Sequence, residues 1–177
     1  MEKNIYIMKQ FFDMPNEGFL IREISRKTNI NHMTVKQYLD RFVKERILIK
    51  EISKPYPVYK ADTESKRYLN TKLFFNLEKL RKSGLIEKLE DIYDSPTIVI
   101  FGSFAKSLDD LNSDIDIFLL SETKKDFNQK PYEKILERHI SIHAFSEKEF
   151  MQTMKDNPEF INSICNGITV LGQLEIL

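Results

Sequence analysis

Two apolar segments, Ile98–Phe101 and Ile117–Leu120, bracket the stretch that most constrains the fold. The first runs into Gly102-Ser103. Ten residues further on, Asp114-Ile115-Asp116 leads into the second. Short apolar runs rich in β-branched and aromatic residues, bounded by turn residues, read as buried strands. Residues two apart on a strand share a face, so Asp114 and Asp116 are expected to present two carboxylates together while Ile115 faces the opposite way. Neighbouring carboxylates repel unless a cation or a proton lies between them. Mg²⁺ (or Mn²⁺) suits such a pair, because it accepts one or two carboxylates together with substrate phosphates. Gly102 allows close approach of the backbone to a ligand. Ser103 brings a hydroxyl and opens the next helical segment, whose free N–H groups favour a phosphate.

Gly-Ser, ten residues, then Asp-x-Asp resembles the motif of the nucleotidyltransferase superfamily that includes DNA polymerase β and the minimal nucleotidyltransferase domains. Gly102, Ser103, Asp114 and Asp116 match it directly, and Ser113 before Asp114 also fits. Phe104-Ala105-Lys106 is similar to the family's aromatic-Ala-Arg segment, with Lys for Arg, and Ser107 stands where the family usually has Gly. The resemblance implies that Asp114 and Asp116 hold the metal and act in catalysis, and that Gly102, Ser103 and Lys106 bind the nucleotide. It also implies a mixed sheet flanked by helices from about Ser95 to the C-terminus. Two-metal members carry a third carboxylate on the strand after Asp-x-Asp. That strand is expected at Ile140–Phe145, where Ser141 and His143 are the possible third ligands, and neither is an acid. Glu133 or Glu137 would substitute only in a different register.

Upstream, Ile5, Met8, Phe11 and Phe12 have helical spacing, and Pro15-Asn16-Glu17-Gly18 ends that helix. A second helix is expected over Phe19–Arg26. A third is expected over His32–Glu45, with Asn31 as N-cap and Val35, Tyr38, Leu39, Phe42 and Val43 as its apolar stripe. Ile47–Ile52 and Val58–Lys60 read as a hairpin whose loop carries Pro55 and Pro57. This order resembles a winged helix-turn-helix. In that resemblance His32, Met33, Thr34, Lys36 and Gln37 approach a major groove, while Arg41, Lys44, Arg46, Lys50 and Lys54 meet phosphates. Residues 62–94 form a helical connector interrupted at Ser83-Gly84, with apolar faces that imply packing against a domain or a second copy of the chain. The expected architecture is α/β (α+β): a winged helix-turn-helix at 1–61, the connector at 62–94, and a nucleotidyltransferase domain at 95–177.

Downstream, Pro131–Arg138 reads as a helix, Ser146 and Glu149 as a capping box, and Pro158–Asn166 as a last helix before the apolar Ile168–Leu171. A hydrophobic content of 41% supports a packed core, and no apolar run approaches the ~20 residues of a membrane span. The single cysteine, Cys165, excludes an internal disulfide and is expected in the core. A cytoplasmic location follows. Residues 1–94 carry 19 Lys+Arg against 14 Asp+Glu, and residues 95–177 carry 8 against 13, so a basic half precedes an acidic one.

Nucleotidyl transfer needs metal ions, a held triphosphate and an aimed hydroxyl rather than elaborate covalent chemistry. The first reading is an enzyme moving a nucleoside monophosphate, AMP above all, from a nucleoside triphosphate to a hydroxyl of a protein or small molecule. Minimal nucleotidyltransferases often act beside a toxin-like partner, so the resemblance implies a toxin–antitoxin setting and a protein acceptor. The second is a DNA-binding transcriptional regulator whose degenerate nucleotidyltransferase domain senses a nucleotide. A homodimer is compatible with both.

Overall fold

The computed structural model describes residues 2–52 and 55–175, so Lys54 lies outside the described residues. Two compact units emerge, Met1–Phe75 and Asn76–Leu177.

The first unit runs α1 (Glu2–Asp13), β1 (Gly18–Phe19), α2 (Ile21–Thr28), α3 (His32–Lys44), β2 (Leu48–Glu51) and β3 (Val58–Ala61), then the start of α4 (Lys66–Lys82). The strands form an antiparallel sheet of order β1-β3-β2. Phe11 and Phe12 of α1, Ile24 of α2, and Val35 and Leu39 of α3 are buried in one core with Tyr59 and Tyr68. Asn31 caps α3 as expected, its side chain accepting from Met33 N at 2.8 Å. The second helix begins later than the expected Phe19. Gly18-Phe19 instead pairs with Lys60 and Tyr59 of β3, and the Phe19 ring meets Phe11 edge-on at 5.2 Å. Period alone could not separate Phe19 from Leu20, Ile21 and Ile24, because the pairing that claims it is forty residues away in the chain.

The second unit contains the end of α4, α5 (Leu85–Tyr93), β4 (Thr97–Phe101), α6 (Gly102–Ala105), β5 (Ile115–Leu120), α7 (Lys130–Leu136), β6 (Ile140–Phe145), α8 (Glu147–Asp156), α9 (Pro158–Cys165) and β7 (Ile168–Leu171). Its sheet has the order β6-β5-β4-β7 and is mixed, with β5 and β6 parallel and the other neighbours antiparallel. Of the stretch expected to connect the halves, Tyr68 joins the first core, whereas Leu80, Leu85, Leu89 and Tyr93 join the second.

Alternation along β4 and β5 explains the layers. Ile98, Ile100, Ile115, Ile117 and Leu119 are buried with Leu85, Leu89 and Leu136 on one face. Val99, Phe101 and Phe118 are buried on the other with Phe150, Ile161 and Ile164 of α8 and α9. Each such side chain contributes roughly 1.5–3 kcal/mol when fully buried. The capping box at Ser146 forms, Ser146 N donating to Glu149 Oε2 at 2.8 Å. Cys165 is exposed rather than in the core. Ile161 and Ile164 occupy the buried face of α9, and a residue one step past Ile164 is turned away from it.

Candidate active site

The turn after β4 is where the apolar strand gives way to chemistry. Gly102 adopts φ +72°, and a Cβ there would fall on the Asp116 carboxylate. Gly102, not Ser103, opens α6, which is a single turn rather than a longer helical segment, and the Ser103 carbonyl accepts from Lys106 N and Leu108 N at 3.2 and 3.0 Å. Lys106 closes that turn and is exposed. Ser107 also has positive φ, 60°, and is buried, its hydroxyl without a hydrogen-bond partner among the described residues. The backbone therefore takes at Ser107 the left-handed conformation that glycine adopts most readily, which accounts for the glycine of the resembling motif.

The ten-residue interval is knotted locally. Asp110 Oδ1 accepts from Asn112 N at 2.8 Å and from Ser113 Oγ at 3.1 Å, and Asp110 N donates to Ser113 Oγ at 3.0 Å. The Asn112 amide, chiefly, holds the Asp110 carboxyl below its ordinary range. This turn delivers the chain to Asp114, an expected strand residue that instead stands immediately before β5, whose ladder begins with Ile115 N donating to His139 O at 2.9 Å.

Asp116 lies within β5, opposite Phe101 of β4 and Ser141 of β6. It is half-buried, and burial pushes its carboxyl above the ordinary range. The charge of His143 pulls the other way, and that of Asp114 adds to the rise. Asp114 is more exposed, with Oδ2 3.5 Å from His139 Nδ1. His139 Nε2 lies 3.6 Å from Glu133 Oε1. Sequence reasoning passed over His139, because only the β5–β6 register brings it to Asp114.

Ser141, not His143, is directly opposite Asp116, and the two are linked, Ser141 Oγ lying 3.2 Å from His143 Nε2. The other carboxylates considered for the third place are engaged elsewhere. Glu133 Oε1 accepts from Ile140 N at 3.1 Å, and Glu137, at the end of α7, pairs with Lys79 at 3.6 Å. Among the described residues no group of three His, Cys, Asp or Glu side chains is gathered to hold a metal. The pair Asp114 and Asp116 nonetheless fits Mg²⁺, which takes one or two carboxylates and completes its shell with phosphate and water. A half-buried carboxylate raised by burial and a like charge is also stabilised by a nearby cation.

In the first unit, His32, Lys36, Gln37 and Lys44 of α3 are exposed and Thr34 is partly covered. Met33 is 61% exposed. Arg46, past the end of α3, is exposed with φ 55°. Arg41 and Lys50 are already engaged, with Glu45 at 2.7 Å and Asp40 at 3.2 Å. Arg22, absent from the expected contact set, lies over the exposed Tyr56 ring at 5.4 Å.

Residues 84–175 match the family described as polymerase beta, nucleotidyltransferase. No curated protein and no solved structure matches the chain. No helix among the described residues is long and apolar enough to cross a membrane.

Proposed function

The chain belongs to the polymerase beta nucleotidyltransferase family, and from that premise we propose that it transfers a nucleoside monophosphate, AMP above all, from a nucleoside triphosphate to a hydroxyl on a protein or small molecule. The observation that carries this reading is the seating of the Asp116 carboxylate against Gly102, with Asp114 close enough to raise it. Asp114 and Asp116 would hold Mg²⁺ or Mn²⁺, which when bound neutralises charge on the triphosphate. The Gly102-Ser103 turn and the exposed Lys106 receive the phosphates, and α8 and α9 back the sheet so that the turn and the acids keep their spacing.

The first unit acts, in this reading, as a winged helix-turn-helix that contacts nucleic acid. Its element order, the exposed His32, Lys36 and Gln37 on α3, and the hairpin of β2 and β3 support this.

Titration of the full chain with ATP and Mg²⁺ tests the nucleotide site. Saturable binding that disappears in Asp114→Ala and Asp116→Ala is expected, and identical isotherms in all three proteins would sink the reading. One observation favours a second reading, a DNA-binding regulator that senses a nucleotide without transferring it: Ser141 stands where a third carboxylate would help align the attacking oxygen. Label from α-³²P-ATP appearing on any acceptor decides for transfer. Binding with a nucleotide-dependent gel shift and no transfer decides for the regulator.

A further inference from the structure

The row Phe101, Asp116, Ser141 crosses three neighbouring strands, β4, β5 and β6. Gly102 follows Phe101, so the turn assigned to the phosphates sits on one side of Asp116 and Ser141 on the other. Two strand spacings separate them, about 9–10 Å, which is room for one phosphoryl group between a leaving pyrophosphate and an attacking oxygen. We propose that Ser141 is itself a nucleotide acceptor: the protein nucleotidylates its own serine at this position, an inference that rests on the nucleotidyltransferase reading above.

Ser141 has what an acceptor hydroxyl needs. A base within hydrogen-bond reach of a hydroxyl is the arrangement that activates it, and Ser141 Oγ lies 3.2 Å from His143 Nε2. The imidazole packs against two rings that also touch each other, with centroids 5.6 Å from Phe101 and 5.3 Å from Phe160, and these contacts restrict its rotation beside the serine. Neither Ser141 nor His143 is buried, so a ligand reaches them. The other hydroxyls of the region are less suited. Ser103 is on the leaving-group side, where in-line displacement is not served. Ser113 is committed to Asp110 through both its donor and its acceptor. A neutral serine is also a poorer ligand for Mg²⁺ than the carboxylate the position would otherwise carry.

The step balances. A bond forms between Ser141 Oγ and the α-phosphorus, the bond from that phosphorus to the bridging oxygen breaks, and pyrophosphate departs with the electron pair. The serine proton passes to His143 Nε2. The product is a phosphodiester linking the serine to the nucleoside. It is either a stable modification or an intermediate from which an external hydroxyl takes the nucleotide.

The test incubates the full chain with Mg²⁺ and ATP, followed by intact mass measurement and fragmentation. The expected result is an adduct of one AMP confined to Ser141. The adduct is lost in Ser141→Ala, while calorimetry shows that this variant still binds Mg²⁺-ATP. His143→Gln slows its appearance by roughly 10²-fold or more, the scale of general-base assistance. Label on another residue, label persisting in Ser141→Ala, or a wild-type chain that binds Mg²⁺-ATP and stays unmodified would each overturn the proposal while leaving the nucleotide site intact. A wild-type chain that fails to bind Mg²⁺-ATP removes both.

Discussion

The carboxylate of Asp116 fills the space that a side chain on Gly102 would need, so glycine at the turn and acid on the strand are one structural unit. Gly102→Ala is therefore expected to lose nucleotide binding. Its backbone, at φ +72°, costs about 1–2 kcal/mol with a Cβ present, and the added methyl must displace either the carboxylate or the turn. Circular dichroism should show a folded protein with a lowered melting point, and calorimetry should show Mg²⁺-ATP affinity reduced to that of Asp116→Ala. Wild-type affinity in Gly102→Ala would show that the contact is incidental.

Ser107 bears a strain that a substitution can remove. It is buried at φ 60° with a hydroxyl that has no hydrogen-bond partner among the described residues. Ser107→Gly relieves the left-handed conformation and the buried hydroxyl together, against the larger entropy loss of glycine on folding. A net gain of about 1 kcal/mol is expected, read as a higher urea midpoint with unchanged slope. Ser107→Ala keeps the strained φ and should gain less. A lower midpoint for the glycine variant would mean that the serine packs in a way the buried hydroxyl does not suggest.

What the sequence could and could not disclose follows from how local each feature is. The strands β4 and β5 and the turn at Gly102 were legible because alternation, turn residues and spacing lie within two dozen residues of one another, whereas Asp114, expected on the strand with Asp116, stands just before it. The placement of Phe19 in a strand depended on β3, and the meeting of Asp114 with His139 depended on β6. Neither pairing leaves a local mark. Ser141 and His143 share a strand face, so periodicity presented both, and only the register of β5 against β6 sets Ser141 opposite Asp116. The left-handed Ser107 was hidden for another reason: its side chain disfavours the conformation it adopts, and surrounding packing overrides that preference.

Asp116→Asn should separate stability from function. Burial raises the Asp116 carboxyl in the folded protein, so between the unfolded value, about 3.9, and the higher folded one the native state holds more protons than the unfolded chain. Stability contributed by this residue is present below that window and is lost as pH rises through it. The asparagine variant is expected to melt higher than wild type at neutral pH and to lose that advantage near pH 3. Mg²⁺ should raise the wild-type melting point and leave the variant unchanged. An advantage that grows toward low pH would contradict the burial argument.

For the first unit the prediction turns on which cations are already occupied. Lys36 is exposed on α3, whereas the Lys50 ammonium rests on Asp40 at 3.2 Å. If α3 meets a DNA backbone, Lys36→Ala removes one phosphate contact and flattens the slope of log affinity against log salt by about 1. Lys50→Ala should change that slope less, because its charge is partly neutralised before DNA arrives and release of Asp40 offsets what is gained. Fluorescence anisotropy with a duplex at several salt concentrations reads both slopes. Equal slopes for wild type and Lys36→Ala would place the DNA contact away from α3 and leave the exposed Met33 and Tyr56 as the marks of a protein-binding face.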